Sequence, residues 1–324
     1  MSYKIIDTHA HIILEKCFGM AGKYGPEAGV DENGVHFFRI GDYKMQPMKY
    51  DNTVFMENNL RIELMDKLGI DLQLLSPNPL TMFHRIENDI AIEFCKIHND
   101  AMAESVSQYP DRLIGSAALP MQDIDAACLE MERVTKSLGL KAVSTGTDYP
   151  FGLDDPRLDD FYKTVVELDI PLFLHPSSTG GSKGPDDWRM GRFDMSIILG
   201  YAYEETLAAG TLIIGGVMDR HPNLDVCISH GAGAMPYLVE RFSEMSSFRD
   251  WAPEGVQKNG FKNELKKLWF DAHVHGENSQ RMLFDLVGSE RLVYGTNLGG
   301  WDTPKELESF APSLTENAIK LLRL

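Results

Sequence analysis

The sequence predicts an α/β fold, a distorted (β/α)8 TIM-like barrel with a small β insertion after its first strand. Three observations lead there. Eight short apolar runs recur along the 324 residues, segments of helical periodicity separate most of them, and several runs end in histidine or asparagine. A parallel barrel carries its functional side chains at the C-terminal ends of its strands, which is where these residues fall. The runs cover about 3–8, 71–76, 113–118, 139–144, 170–174, 223–229, 267–272 and 291–296. Continuous apolar strands are what burial on both faces requires, and alternation with helices makes the sheet parallel. A doubly wound open sheet is the alternative. It usually brings a Gly-rich phosphate loop after the first strand, and here that position reads His9-Ala10-His11.

Taken in order, residues 4–11 read Lys-Ile-Ile-Asp-Thr-His-Ala-His. Strand side chains alternate with period two, so His9 and His11 point the same way. Residues 15–52 break the rhythm with six glycines between Gly19 and Gly41, and the run Val35-His36-Phe37-Phe38-Arg39-Ile40 reads as a strand of a cap over the barrel mouth. Helices are expected over 55–68, 86–107, 123–138, 155–168, 235–247 and 277–287. The clearest is 86–107, where Ile86, Ile90, Phe94, Ile97, Ala101 and Val106 recur at helical spacing. The most apolar stretch, 196–217, contains Glu204 and Glu205 in mid-span, which argues for a buried helix rather than a membrane crossing. The later runs end in His175, His230 and Asn297. The expectation is one domain, 1–324, with 15–52 as the inserted cap.

Composition narrows the partners. Hydrophobic residues make up 43% and charged residues 24%, with 31 Lys+Arg against 48 Asp+Glu and a formal charge of -17. Such a field repels phosphate backbones and anionic lipid, so nucleic acid and membrane surfaces are excluded as expected partners. An anionic substrate would need local cations, which draws attention to Arg39, Arg85 and Arg241. Cys17, Cys95, Cys128 and Cys227 are widely spaced, as free thiols in a reducing cytosol would be, and no signal peptide precedes the first strand. A soluble, cytoplasmic protein is expected.

Imidazoles converging from several strand ends make a metal pocket suited to hydrolytic or lyase chemistry. Each histidine taken alone reads more simply as a hydrogen-bonded core residue, but two on one face of a core strand are costly without a purpose. His273-x-His275 repeats the spacing of His9-x-His11 and invites a second metal. No spare carboxylate in the sequence obviously completes it, so His275 is read as a pocket residue.

The ordered motifs closely resemble the amidohydrolase superfamily, and within it the branch typified by aminocarboxymuconate semialdehyde decarboxylase and related non-oxidative decarboxylases. The resemblance spans nearly the whole chain. Its markers are Asp-Thr-His-Ala-His, Phe38-Arg39, Ala118-Leu119-Pro120-Met121-Gln122, Leu174-His175-Pro176, Gly215-Gly216-Val217 through His221-Pro222, Ser229-His230-Gly231-Ala232-Gly233 and Tyr294-Gly295-Thr296-Asn297. It implies one divalent metal, commonly zinc, on His9, His11 and His175, with Asn297 at the usual fourth position and His230 as general acid or base; a mixed nitrogen and oxygen site would also accept manganese. It implies that Arg39 meets a substrate carboxylate. It also implies that Arg241 is lent to a neighbouring subunit, which would make the protein a homodimer.

Asn297 departs from the family pattern, which has aspartate there. The amide keeps an acceptor oxygen but loses the charge and the titratable proton. A substitution made to trap a ligand, a natural member with altered chemistry, and an inactive form all stay open. The function expected is non-oxidative decarboxylation of a small unsaturated or aromatic carboxylic acid. The alternatives are a hydrolase or hydratase acting on a lactone, amide or conjugated keto-acid, and a non-catalytic binding protein.

Overall fold

The computed structural model describes residues 3–177, 188–300 and 302–324. In chain order the strands are β1 (Ile6–Ile12), β2 (Glu27–Val30), β3 (His36–Ile40), β4 (Tyr43–Met45), β5 (Leu72–Pro77), β6 (Leu113–Ala118), β7 (Ala142–Thr145), β8 (Leu172–Leu174), β9 (Val226–Ile228), β10 (Trp269–Asp271) and β11 (Leu292–Val293). Eight form one parallel sheet in the order β1-β5-β6-β7-β8-β9-β10-β11. The sheet comes back on itself. Thr8 N donates to Tyr294 O and His11 N to Leu298 O, both at 2.8 Å, and Ala10 bridges Leu298 in parallel. The open-sheet alternative is thereby removed.

All eight predicted runs are strands, several shorter than expected. The run 291–296 is regular only over Leu292–Val293, because beyond it the chain turns to bond β1. That approach depends on glycine. A Cβ on Gly295 would lie 2.6 Å from the His9 Cβ, and one on Gly299, at φ +88°, would lie 2.2 Å from His11 O.

The predicted helices form within a few residues of their expected limits. Asn88–Ser107 is the longest, and Ile124–Arg133 starts at Asp123, whose side chain accepts from Ala126 N at 3.0 Å. The stretch Val134–Leu138, expected as its last turns, is a wider π-helical turn. The buried helix expected within 196–217 is Tyr201–Ile214, and only one of its faces is buried. Ala208, Ala209, Leu212 and Ile213 face the core, whereas Ile198 and Leu199 in the preceding turn, and Tyr203 and Leu207 in the helix, are exposed. At the opposite end of the barrel from the site, Ala318, Leu321 and Leu322 of helix Thr315–Leu322 pack with Ile6, Leu72 and Trp269.

The insertion is an antiparallel sheet of β2, β3 and β4, with Phe38 opposite Ala28 and Met45. Phe38 and Ile40 are buried while the outer strands are largely exposed, so β3 fastens the cap to the barrel.

Candidate metal centre and active site

Strand β1 places His9 and His11 on one face, and β8 delivers His175 beside them. Ring centroids lie 4.9 Å apart for His9–His11, 5.2 Å for His9–His175 and 4.9 Å for His11–His175. Hydrogen bonding settles each tautomer. His9 Nδ1–H donates to the Asp271 carboxylate at 2.7 Å, and His175 Nδ1–H to Pro176 O at 2.9 Å. Ser76 Oγ uses its hydrogen on Ala10 O, so at 2.9 Å it accepts from His11 Nδ1–H. All three Nε2 atoms therefore carry lone pairs, and those of His9 and His11 face each other at 3.0 Å with no hydrogen between them. The three ligand atoms lie within 4.8 Å of one another. Such a set fits a divalent cation and little else.

Electrostatics agree. Burial, then the surrounding imidazoles, hold His9 and His11 well below the ordinary histidine range, and burial pushes His175 down to about 3. The neutral, metal-binding form is therefore the one present near neutral pH.

Asn297 lines the same cavity. It is buried, its Nδ2 donates to Asp302 Oδ1, and its Oδ1 has no hydrogen-bond partner. An orphaned buried amide oxygen on a residue that lines the same cavity as His11 and His175 fits an oxygen ligand, because leaving such an acceptor bare is costly. Asn297 and His230 both sit at positive φ, +52° and +48°. Asparagine and histidine are both among the non-glycine residues that adopt this sparsely populated conformation, and backbones held there gather at functional sites.

His230 stands 4.9 Å from His9 and 5.1 Å from His175 by ring centroid. Its Nδ1 is 2.5 Å from Glu205 Oε1, which also accepts from Ser229 Oγ at 2.6 Å. Burial lowers His230 to about 4 and raises Glu205 well above the carboxylate range, so burial drives both toward their neutral forms. With Nδ1 engaged, Nε2 is left to serve the cavity, which measures about 90 Å³. Met45 and Met48 of the cap, with Tyr50, Phe55, Leu80 and Tyr201, form its walls. Among the described residues lining it none is Lys or Arg.

Residues 6–323 match the sequence profile of the amidohydrolase family. The chain belongs to that family. It is 28% identical over 319 residues to 2-amino-3-carboxymuconate-6-semialdehyde decarboxylase of Dictyostelium discoideum, covering 97% of this chain and 86% of that one. It is also 28% identical to gamma-resorcylate decarboxylase of Rhizobium radiobacter, covering 88% and 86%. Among solved structures it superimposes on dihydroxybenzoic acid decarboxylase of Polaromonas sp. JS666, which holds manganese and 2-nitroresorcinol, with TM-score 0.73, 20% identity, and 100% and 98% coverage.

Within this amidohydrolase site the tertiary structure adds partners that sequence spacing did not reveal. Asp271, at the end of β10, receives His9 Nδ1 on one oxygen and the backbone N–H groups of His230 and His273 on the other. Its only signal was an aspartate two residues before a histidine, as at Asp7. Glu205 had one signal, a carboxylate inside an apolar helix, which bore on membrane crossing and not on His230. Arg61 is fully buried under β1, donating to His11 O at 2.6 Å, Val54 O at 2.7 Å and Gln73 Oε1 at 2.8 Å; Gln73 in turn holds Asp7. Burial lowers Arg61 to about 10.

None of the arginines singled out in the sequence, nor His275, lines this cavity. Arg39 pairs with Glu27 at 2.7 Å and donates to Gly41 O, binding β3 to β2 instead of lining the cavity, because its nearest anion is across the cap sheet. His275 is 68% exposed and faces Asp302. Arg241, expected to serve a neighbouring subunit, is exposed on helix Met235–Ser246, and its neighbour Glu240 pairs with Lys262. Arg85 is half exposed and meets Asp148.

Proposed function

We propose that this amidohydrolase is a divalent-metal-dependent, non-oxidative decarboxylase of a small aromatic or unsaturated carboxylic acid. The observation that carries the reading is the placing of His230, backed by Glu205, beside three imidazole lone pairs on the floor of an apolar cavity. The two decarboxylases to which the chain is similar over most of its length support it.

His9, His11, His175 and the Asn297 amide oxygen would hold the metal. Bound there, it supplies a Lewis acid for a substrate carboxylate or phenolic oxygen, which a cavity wall without Lys or Arg needs. The apolar walls accept a flat ring and exclude water. His230 Nε2 moves the proton: protonated, it delivers it to the carbon bearing the carboxylate, the carbon–carbon bond breaks, and carbon dioxide leaves with its two oxygens unchanged. Glu205, hydrogen-bonded to Nδ1, holds the ring so that Nε2 is left to the cavity.

Manganese in the dihydroxybenzoic acid decarboxylase makes it as strong a candidate as zinc. A homodimer is supported by the apolar side chains left exposed at Ile198, Leu199, Tyr203 and Leu207. Four free cysteines, three of them buried, support a reducing cytoplasm.

The test is turnover of aromatic and unsaturated acids in D2O and in H2(18)O by zinc- and manganese-loaded protein. One carbon dioxide per product, with one deuterium at the carbon that lost it, is expected. Solvent oxygen in the product without carbon dioxide would replace this reading with a hydrolase or hydratase.

A further inference from the structure

The motif Asp7-Thr8-His9-Ala10-His11 has a second copy in the chain, Asp271-Ala272-His273-Val274-His275. The two copies share their local geometry. Asp7 Oδ1 accepts from His9 N at 3.1 Å, and Asp271 Oδ1 accepts from His273 N at 3.0 Å. Each aspartate thus anchors the backbone of the first histidine two residues on, at the end of a barrel strand. The first copy is completed by His175. The second is completed by Asp302, from the loop after β11: its Oδ2 lies 2.9 Å from His273 Nε2 and 2.7 Å from His275 Nε2.

We propose that His273, His275 and Asp302 form a second divalent-cation site, separate from the His9/His11/His175 centre. Its three ligand atoms lie within 4.8 Å of one another. Two imidazole nitrogens and one carboxylate oxygen are a set that zinc, cobalt and manganese all accept. His273 is buried and Asp302 partly buried, whereas His275 is 68% exposed, so the remaining coordination positions open to water. The two centres share no ligand but are neighbours, the His273 ring lying 5.9 Å from His9 and 5.7 Å from His230. Asp302 links them mechanically, since its other oxygen accepts from Asn297 Nδ2. A cation on Oδ2 fixes Asp302, and through it the Asn297 amide. This site would bind more weakly than the first, because one of its three ligands is exposed to solvent.

The experiment counts metal without reference to turnover. Protein stripped by chelator is brought to equilibrium dialysis against Zn2+, and separately Co2+, and bound metal per protomer is measured for the native chain, His275→Ala and Asp302→Asn. His275 is exposed, so its variant should fold, which circular dichroism checks. Two equivalents are expected for the native chain and one for each variant, with one Co2+ visible absorption component lost. One equivalent in the native chain and none in His275→Ala would still support this site while removing the first centre. A native chain that saturates at one equivalent and is unchanged by His275→Ala overturns the proposal. So does a second equivalent that survives both substitutions, or a native chain that binds none.

Discussion

Replacing Asn297 by aspartate sets a second carboxylate against Asp302, and the metal-free protein should register this as a pH-dependent loss of stability. In the native chain Asn297 Nδ2 donates to Asp302 Oδ1, a hydrogen bond to an anion. Bonds of that kind contribute about 1.5–3 kcal/mol. In Asn297→Asp the donor is gone, and two anions about 3 Å apart at an effective dielectric of ~20 repel by about 5 kcal/mol. The pair can escape by taking up a proton. Burial alone would raise Asp302, but the hydrogen bonds from His273 and His275 and the His273 charge hold it well below the usual carboxylate range, so the proton goes to residue 297. Holding an ordinary carboxyl protonated at about pH 7.5 costs about 5 kcal/mol, falling by about 1.4 kcal/mol for each pH unit lowered. The protonated side chain then donates to Asp302 and restores the bond. The new carboxyl has its folded pKa raised above the unfolded value, so the variant loses stability relative to the native chain as pH rises. Backbone strain does not confuse the comparison, because aspartate tolerates the positive φ at 297 as asparagine does. Urea unfolding of both metal-free proteins should give a deficit of about 3–5 kcal/mol near pH 7.5, shrinking by about 2–3 kcal/mol near pH 5.5. Equal stability at the higher pH, or a gap that does not change with pH, would refute the Asn297–Asp302 pairing.

Two further outcomes follow from buried groups. Glu205→Leu leaves His230 Nδ1 and Ser229 Oγ without their acceptor, and kcat should fall by roughly 10²–10⁴-fold with metal content unchanged. Glu205→Gln keeps an acceptor and should lose only about tenfold; equal kcat in both variants would show that Glu205 does not orient the imidazole. His98 is buried in helix Asn88–Ser107, and burial lowers it to about 4. Its folded pKa is depressed below an unfolded value of about 6.5, so it withdraws stability as pH falls through that window, about 2 kcal/mol between about pH 7 and pH 5. His98→Leu should flatten the pH dependence of urea stability by that amount, and an unchanged slope would contradict it.

Much of the fold was legible because it follows from local geometry. Period-two alternation put His9 and His11 on one face whatever surrounded them, and the helical spacing of Ile90, Phe94, Ile97 and Ala101 specified Asn88–Ser107 without reference to its neighbours. The strand-end positions of His175, His230 and Asn297 were likewise readable from runs of a few residues. The partners were not. Glu205 meets His230 across 25 positions, Asp271 meets His9 across 262, and Thr296 meets Asp7 across 289. Which of many carboxylates reaches a given imidazole depends on how the barrel closes, and closure depends on β11 passing close to β1 at Gly295 and Gly299. The same cause turned Arg39 toward Glu27 and brought Asp302 to His273-x-His275. By itself the sequence determined the strand-end histidines and the metal chemistry their type and spacing allow. Only the tertiary structure decided which buried carboxylates, amides and hydroxyls hold those rings in one tautomer, because hydrogen bonding over long sequence separations exists only once the chain is packed.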